Sequence, residues 1–473
     1  DGMEHIGYEE LKSYDELIIL NSSVYGPIKP LPEVFAAMDK KDPACDFWGI
    51  TMGSDGFPIH IQSYFYVFRD NLLWSEAFKS FWQSVNYFKD RDEAIAGGEI
   101  KVTQYFKEKG FSFNSYIEPN FEYYYNHSIE GAMFAYEQGS PFIKISLFQD
   151  QATYFRQLVY GFADAPSKIF DKLDAKWQTI ILKHLCANGK QSVWSHTLRN
   201  VLILDDEQTN HSVNAKEIAA IIYVYFEENP DLILSYVHNL PAGSTIYFVS
   251  SKKDILAVYK EKTKNDNSKN YEYRLQPNRG RNEAAYWVTC RDVYDKHKYV
   301  CLIHDKKIAH LKPWAIGRGF FVHQLDSLLF SEEYIINLIH SMDKNYNIGM
   351  TQPALPLEAE WMDANGIYNP VRDRNWHQEG YMPLIIKELG MRLPLDEEML
   401  FPVGSAFWVK AEALKVMFRK EWKIEDFPEE PVPGDKTILH AMERLYPLII
   451  QEAGYHTFVA MPNSYAKGYY YNS

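Results

Sequence analysis

Carboxylates crowd one short stretch of the chain, and three of them are candidates for chemistry: Asp426, Glu429 and Glu430 lie in a proline-interrupted loop, IEDFPEEPVPG, just before the helix-like run DKTILHAMERLYP. A carboxylate fixed on a constrained loop and facing a cleft suits a general base that takes the proton from a sugar hydroxyl. The residue pattern alone does not choose among the three. Asp435 stands near the start of the following helix, with His440, Glu443 and Arg444 along it. The four-residue step from His440 to Arg444 puts both on one helix face, where they either support a site or serve as an ordinary core histidine and solvated charge.

Cations cluster elsewhere. In QPNRGRN, Gln276 to Asn282, a glycine flanked by Arg279 and Arg281 sits between a strand and a predicted helix. Backbone N–H groups and guanidinium forks at a helix entrance can hold a diphosphate, and a tight turn with solvated arginines is the competing assignment. About 25 residues on, the apolar run KYVCLI emerges into His304-Asp305-Lys306-Lys307. An aspartate there can bind a divalent cation, Mg²⁺ or Mn²⁺, that bridges two phosphates, while the lysines neutralise a departing diphosphate. A lone carboxylate followed by two lysines is a thin ligand set for a metal. Gly404-Ser405-Ala406-Phe407-Trp408 opens another strand: the small residues admit a close ligand and Trp408 offers a sugar-stacking face, with core packing of Phe407 and Trp408 the equal alternative.

These segments need a frame. EIAAIIYVYF, a helical stretch from Asn229 to Leu240, TIYFVSS, a helix around Ile255 to Lys260, and YEYRLQ make a β-α-β-α-β series, the build of a mostly parallel sheet that binds ligands at its strand C-termini. Faint echoes connect the two halves of the chain in one order. YDELIIL running into Asn21-Ser22-Ser23 matches KYVCLI running into His304-Asp305; Trp48-Gly49-Ile50-Thr51 matches Ile348-Gly349-Met350-Thr351; QSYFYVFRDNLL matches GSAFWVKAEAL; and Phe78 with Trp82 matches Phe418 with Trp422, four apart on a helix face. We expect two copies of one α/β module: residues 1–150, lacking room for the leading strand–helix series; a helical linker over 151–212, with FRQLVYGF and KWQTIILKHLC; and a complete module over 213–473. The chain opens on Asp1 with its first strand close behind, so the first module reads as incomplete at its N-terminus, by truncation.

Composition narrows the function classes. The 473 residues carry 49 Lys and Arg against 63 Asp and Glu, a net charge of -14, which argues against a nucleic-acid binder. The longest apolar run, Ile218 to Phe226, is about half of the ~20 residues a membrane helix needs. The four cysteines lack metal or disulfide spacing, and no secretory signal opens the chain, so a cytoplasmic setting is expected. Thirty-four tyrosines serve core packing and sugar stacking equally well.

Together these segments resemble the rhamnan synthesis protein F family of bacterial glycosyltransferases. YDELIILNSSVYGPI, DFWGIT and HIQSYFYVF carry the likeness in the first half, and IAAIIYVYFEENPDLI, PNRGRN, VCLIHDKK, FPVGSAFWVKAEAL and FPEEP with GDKTILHAMERLYP in the second. The resemblance implies two GT-A-like, Rossmann-related modules and transfer of a sugar, typically rhamnose, from a dTDP- or UDP-linked donor to a surface polysaccharide. Carried over by position, Asn278, Arg279, Gly280, Arg281, Asp305, Lys306 and Lys307 line the donor diphosphate, and Ser250 and Ser251 border the nucleotide. Gly404, Ser405, Phe407 and Trp408 shape the acceptor side; Glu430 matches the family's loop carboxylate, with Asp426 in reserve. The chain departs from the family at Asn282, often Asp; at Ser22, within a usual Asn-Asp-Ser; and at Tyr223, often His.

The expected activity is therefore an inverting glycosyltransferase acting on a glycan or lipid-linked glycan, at the inner face of the membrane without a segment that crosses it. A carbohydrate-binding scaffold on a decayed transferase fold is the alternative, suggested by the missing carboxylates. A glycosidase is a weaker third, because arginines and lysines at strand tips suit phosphate better than bare sugar.

Overall fold

The computed structural model describes residues 2–41, 44–54, 56–149, 164–305, 315–345, 347–354, 380–395, 401–433 and 436–471. Two compact units divide the chain, Asp1–Ile181 and Leu182–Ser473. No helix among the described residues is long and apolar enough to cross a membrane.

In the first unit, β1 (Glu16–Leu20), β2 (Phe47–Gly49), β3 (Phe65–Arg69) and β4 (Phe113–Ser115) form a sheet in the order β1-β3-β2-β4. β3 runs antiparallel to both its neighbours, whereas β2 and β4 are parallel. Side chains alternate across the sheet with the two-residue strand period. Phe47, Tyr66 and Phe68 therefore meet Phe78, Phe81 and Phe106 on one face, while Trp48, Phe65 and Val67 meet Val34, Met38 and Phe142 on the other. Ser75 caps the helix Glu76–Ser84 by accepting the Phe78 N–H at 3.1 Å, and Phe78 and Trp82 share a face of it as their spacing requires.

The second unit holds eight strands: β5 (Val201–Leu204), β6 (Ile218–Tyr223), β7 (Thr245–Ser250), β8 (Asn270–Leu275), β9 (Tyr299–His304), β10 (Ile348–Pro353), β11 (Phe407–Lys410) and β12 (His456–Pro462). Their order is β8-β7-β6-β9-β11-β10-β12-β5, parallel except for β11, which opposes both β9 and β10. Helices α1 (Pro230–Val237) and α2 (Lys253–Thr263) make the crossovers from β6 to β7 and from β7 to β8, as the sequence pattern requires. Every residue of β6 is buried, the mark of a parallel strand covered on both faces. Ala219 and Ile221 pack with Trp287, Phe407 and Ile449, and Ala220 and Ile222 pack with Trp408, Leu325 and Leu338.

The echoes between the halves correspond to a repeated topology. β9-β11-β10-β12 repeats the order and the strand directions of β1-β3-β2-β4. A further correspondence is visible only with the structure in hand. Glu99 accepts the Ser63 N–H at 2.8 Å just before β3, and Glu443, on helix α3 (Ile438–Glu452), accepts the Gly404 N–H just before β11. Each glutamate stands eleven residues ahead of a left-handed glycine, Gly110 (φ 88°) or Gly454 (φ 90°), that turns the chain toward the next strand.

Two sequence expectations differ from the structure. Residues 201–204, read as part of a helical linker, are edge strand β5, and the following DDEQTN is tied into the second unit by Asn337, whose amide donates to the Asp205 and Gln208 carbonyls at 2.9 Å. The FRQLVYGF part of that linker lies outside the described residues. The helix face expected from the four-residue step between Phe418 and Trp422 does not form: the chain makes 3-10 turns at Ala411–Leu414 and Met417–Arg419, with Phe418 packed on Tyr294 and Trp422 on Phe427.

Glu99 is the carboxylate most directly tied to stability in the first unit. Glu99→Ala leaves the Ser63 N–H and hydroxyl without their acceptor and is expected to cost roughly 1–3 kcal/mol in urea denaturation.

Candidate functional site

In an open parallel sheet ligands bind where the strand order reverses, beyond the strand C-termini. Here that point lies at the ends of β6 and β9, because β6 continues to β7 on one side and pairs with β9 on the other. Asp305 follows β9 directly. Its own N–H donates to the Tyr223 carbonyl at 2.9 Å, and its Oδ2 accepts the N–H groups of Tyr225 and Phe226 at 2.9 and 2.7 Å. The side chain is 3% exposed, and Oδ1 meets no hydrogen-bond donor among the described residues. Burial pushes this carboxyl up to about 7 despite the nearby Lys252 charge. Lys252 lies over the Tyr225 ring, 3.8 Å from its centre, and donates to the Tyr225 carbonyl at 3.1 Å.

The sequence-chosen residues of β7 and β8 meet this tip. Ser250 is fully buried and its hydroxyl accepts the Lys252 N–H, whereas Ser251 donates to Asn278 Oδ1 at 3.2 Å. The Tyr223 phenol bonds to Ser251; burial raises it to about 12, with the charges of Asp305, Tyr225 and Glu430 adding to the rise. Ser251, Asn278, Asp305 and Glu430 thus share one neighbourhood around Tyr223.

Glu430 arrives there through a zipper of two loops. Gly280, in the left-handed region at φ 73°, donates to the Pro428 carbonyl at 3.2 Å, and a side-chain carbon at this position would sit 2.6 Å from Phe427 Cβ. Arg279 gives Nε to the Phe427 carbonyl at 2.6 Å, Nη1 to Glu429 at 2.9 Å and Nη2 to the Glu425 carbonyl at 3.0 Å. With its three nitrogens so engaged, Arg279 holds the loops together and is not poised for a diphosphate. Arg281 pairs with Glu430 through Nε at 2.7 Å and Nη2 at 3.2 Å, while the Val432 N–H donates to the same carboxylate at 3.0 Å. The Arg281 guanidinium holds the Glu430 carboxyl below its ordinary value.

Asp426 is occupied structurally. It accepts the Lys423 N–H at 2.8 Å to cap the turn Ile424–Asp426, and pairs with Lys420 at 3.3 Å. That removes it as the reserve base. Phe407 and Trp408 are fully buried on opposite faces of the sheet; Phe407 packs on Tyr446 and the Trp408 indole donates to the Leu328 carbonyl at 2.9 Å, so neither ring faces an acceptor sugar. Gly404 (φ 84°) lies where a Cβ would meet the Gln324 amide at 2.4 Å, and Ser405 (φ 49°) is buried with its N–H on the Pro402 carbonyl. On α3, His440 Nδ1 bonds the Thr437 hydroxyl at 2.8 Å, and Arg444 donates to the His440 carbonyl at 3.0 Å beside the Phe401 ring. Lys306, Lys307 and Asp435 lie outside the described residues.

A divalent cation fits this donor set poorly. Asp305 Oδ1 is one oxygen, whereas Mg²⁺ or Ca²⁺ takes about six or more. Among the described residues no three His, Cys, Asp or Glu side chains gather to hold a metal.

Sequence reasoning missed Lys252, Tyr225 and Glu283. Glu283 is 1% exposed, and burial raises its carboxyl to about 7. A signal was present for Lys252, a lysine directly after Ser250-Ser251.

The second unit is thus an open, mostly parallel α/β sheet with a buried acid at its switch point. The chain matches rhamnan synthesis protein F over residues 1–455 and belongs to that family. It is also similar to the uncharacterized protein y4gN of Sinorhizobium fredii strain NGR234, 28% identical over 106 residues, which are 22% of this chain and 27% of that one. The match therefore spans about a quarter of that relative. Among solved structures, the mannosyltransferase Ktr4p from S. cerevisiae in complex with GDP aligns over 61% of this chain and 80% of its own at 9% identity, with a TM-score of 0.22, too low to carry a structural argument.

The raised Asp305 carboxyl makes a pH prediction. A folded-state value above the ordinary 3.8 favours folding below about pH 4, and that contribution is lost as pH rises toward 7. The unfolding free energy of Asp305→Asn relative to wild type should therefore shift in favour of the variant between pH 4 and 7, as read by denaturant titration across that range.

Proposed function

We propose that the chain is a glycosyltransferase that takes a sugar, rhamnose by the family's name, from a nucleoside-diphosphate donor and adds it to a growing glycan. The observation that supports this reading is the Arg281–Glu430 pair, whose carboxylate, like that of Asp305, acts on the Tyr223 phenol where the parallel strands end. Ser251 and Asn278 border the nucleotide, and Arg281, with Lys306 and Lys307, receives the diphosphate. The acceptor hydroxyl oxygen bonds to the anomeric carbon as the carbon–phosphate oxygen bond breaks. The diphosphate leaves with that electron pair, Glu430 takes the hydroxyl proton, and configuration inverts.

Pairing constrains this scheme. While Arg281 holds Glu430, the carboxylate is a weak base and the guanidinium is not available to phosphate. A diphosphate competes for Arg281, and its arrival releases Glu430 to act. Donor then binds before the base is armed, which suppresses proton abstraction in an empty site. Among the described residues no metal cage is gathered, and each step above is written for the chain's own side chains. The acceptor is a glycan or lipid-linked glycan, met in the cytoplasm or at the inner face of the membrane.

A second reading, a glycan-binding scaffold, draws on the same pair: Arg279 is spent on the loops and Arg281 on Glu430. Thermal melting with dTDP and UDP separates the two. A nucleotide at about 100 times its Kd should add ~2.7 kcal/mol of stability, and no shift with either nucleotide favours the scaffold. Glu430→Gln should keep nucleotide binding and lose at least about 100-fold in transfer rate, in line with general-base removal. A folded variant with wild-type transfer would eliminate Glu430 as the base.

A further inference from the structure

Glu283 is a carboxylate with an unusual environment. Its Oε2 accepts the Trp287 indole N–H at 2.9 Å and the Tyr446 hydroxyl, its Oε1 accepts the Asn282 amide at 3.1 Å, and the Ser405 hydroxyl also bonds to it. The titratable groups that face it are Glu443 and Tyr446 from α3, and Tyr286 and Tyr294 from its own side of the cleft. None of these is a cation. A buried acid in such company destabilises a fold relative to an apolar or amide residue, so packing alone does not account for it.

Its position does. Glu283 ties the Arg281 turn of the candidate site to two segments of the scaffold behind it, through Asn282 on one side and through Ser405 and Tyr446 of α3 on the other. Arg281 (φ 48°) and Ser405 (φ 49°) are both left-handed non-glycine residues, a conformation that persists only where the surroundings impose it. Glu283 follows Arg281 by two residues through Asn282, which it bonds, and it bonds Ser405 directly. The Gln276 amide fixes the Arg281 carbonyl at 2.9 Å from the other side. The strand repeat offers a comparison: Glu443 has its partner device in Glu99, whereas Glu283 lies between β8 and β9, directly after the β6–β7–β8 series that the sheet of the first unit does not contain.

We infer that Glu283 is a positioning residue for the transfer step, holding the turn at Arg281 so that the guanidinium meets Glu430 and, on donor arrival, the diphosphate. The inference rests on the reading of Glu430 as the base. Burial, with the Glu443 charge adding, raises the Glu283 carboxyl to about 7, so the anchor changes charge near neutral pH: protonated and compatible with its apolar shell below, ionised against Glu443 above.

The test uses the full chain with dTDP- and UDP-linked rhamnose as donors, and compares wild type with Glu283→Gln and Tyr446→Phe. Glu283→Gln should fold, raise donor KM severalfold because Arg281 is no longer held toward the diphosphate, lose about tenfold or more in kcat, and lose the near-neutral inflection of the kcat pH profile. Tyr446→Phe, which removes one anchor of the carboxylate, should fold and lower kcat in the same sense. A folded Glu283→Gln with wild-type kcat and an unchanged pH profile overturns the inference, as does failure of both variants to fold, which would assign Glu283 to stability alone. A wild-type chain that neither binds dTDP or UDP nor transfers sugar refutes the transferase reading itself, and this inference with it.

Discussion

The guanidinium of Arg279 governs the second unit's cleft. It joins a loop after β8 to one nearly 150 residues later in the chain, donating to two backbone carbonyls and one carboxylate across the gap. Backbone acceptors make the contact insensitive to which side chains flank it, and the approach is close enough that only glycine fits at the next position. Once the loops are zipped, Arg281 and Glu430 have little choice but to meet, and Glu430 comes within electrostatic reach of Tyr223 at the strand tips. A residue that sequence pattern offers as a phosphate ligand thus sets the geometry in which its neighbour can serve as one.

The same cleft concentrates electrostatic cost. Asp305 and Glu283 are buried acids whose carboxyls are pushed up toward neutrality, and each is kept by hydrogen bonds rather than by a cation. Both sit on a sheet whose central strand is buried along its entire length between two apolar layers. That core offsets acids which a protein selected for stability alone would replace. The two differ in what the fold supplies: Glu283 is met by four donors, whereas Asp305, at a strand end, keeps one oxygen without a donor among the described residues.

The strand–helix series from Ile218 to Leu275 was legible because fully buried parallel strands read as continuous apolar runs and the intervening helices have the length a crossover needs. The strand tips were legible for the same reason, and Ser251, Asn278 and Asp305 do lie together. Side-chain partners were not. Phe407 and Trp408 have the chemistry of sugar-stacking rings, and only the position of β11 between β9 and β10 in the middle of the sheet consigns both to the core. Arg279 reads as a phosphate ligand until its acceptors, remote in sequence, are placed. Phe418 and Trp422 have helical spacing, yet tertiary partners pull them apart. Glu283 reads as a solvated acid at a helix start, because one sequence position carries no sign of the aromatic residues 4 and 163 positions away that enclose it.

The repeated strand topology sorts these features by role. An arrangement found in both units, such as the glutamate that accepts a loop N–H ahead of the antiparallel strand, is explained by what both sheets need: a fixed entry into that strand. Glu443 therefore belongs with Glu99 as scaffold, although it lies close to Glu283. Features confined to the second unit require another cause. Asp305, the Arg279 zipper, the Arg281–Glu430 pair and Glu283 all depend on the leading β-α-β-α-β half, either as part of it or through contact with it. In the first unit the strand equivalent to β9 ends instead in Asn21, Ser22 and Ser23, where Asn21 accepts the Ser23 N–H at 3.0 Å and the Lys144 ammonium donates to the Ser23 hydroxyl at 3.2 Å. Two sheets of one topology therefore differ in chemistry at this tip: a buried acid follows the strand in the second unit, where an amide and hydroxyls met by Lys144 follow it in the first.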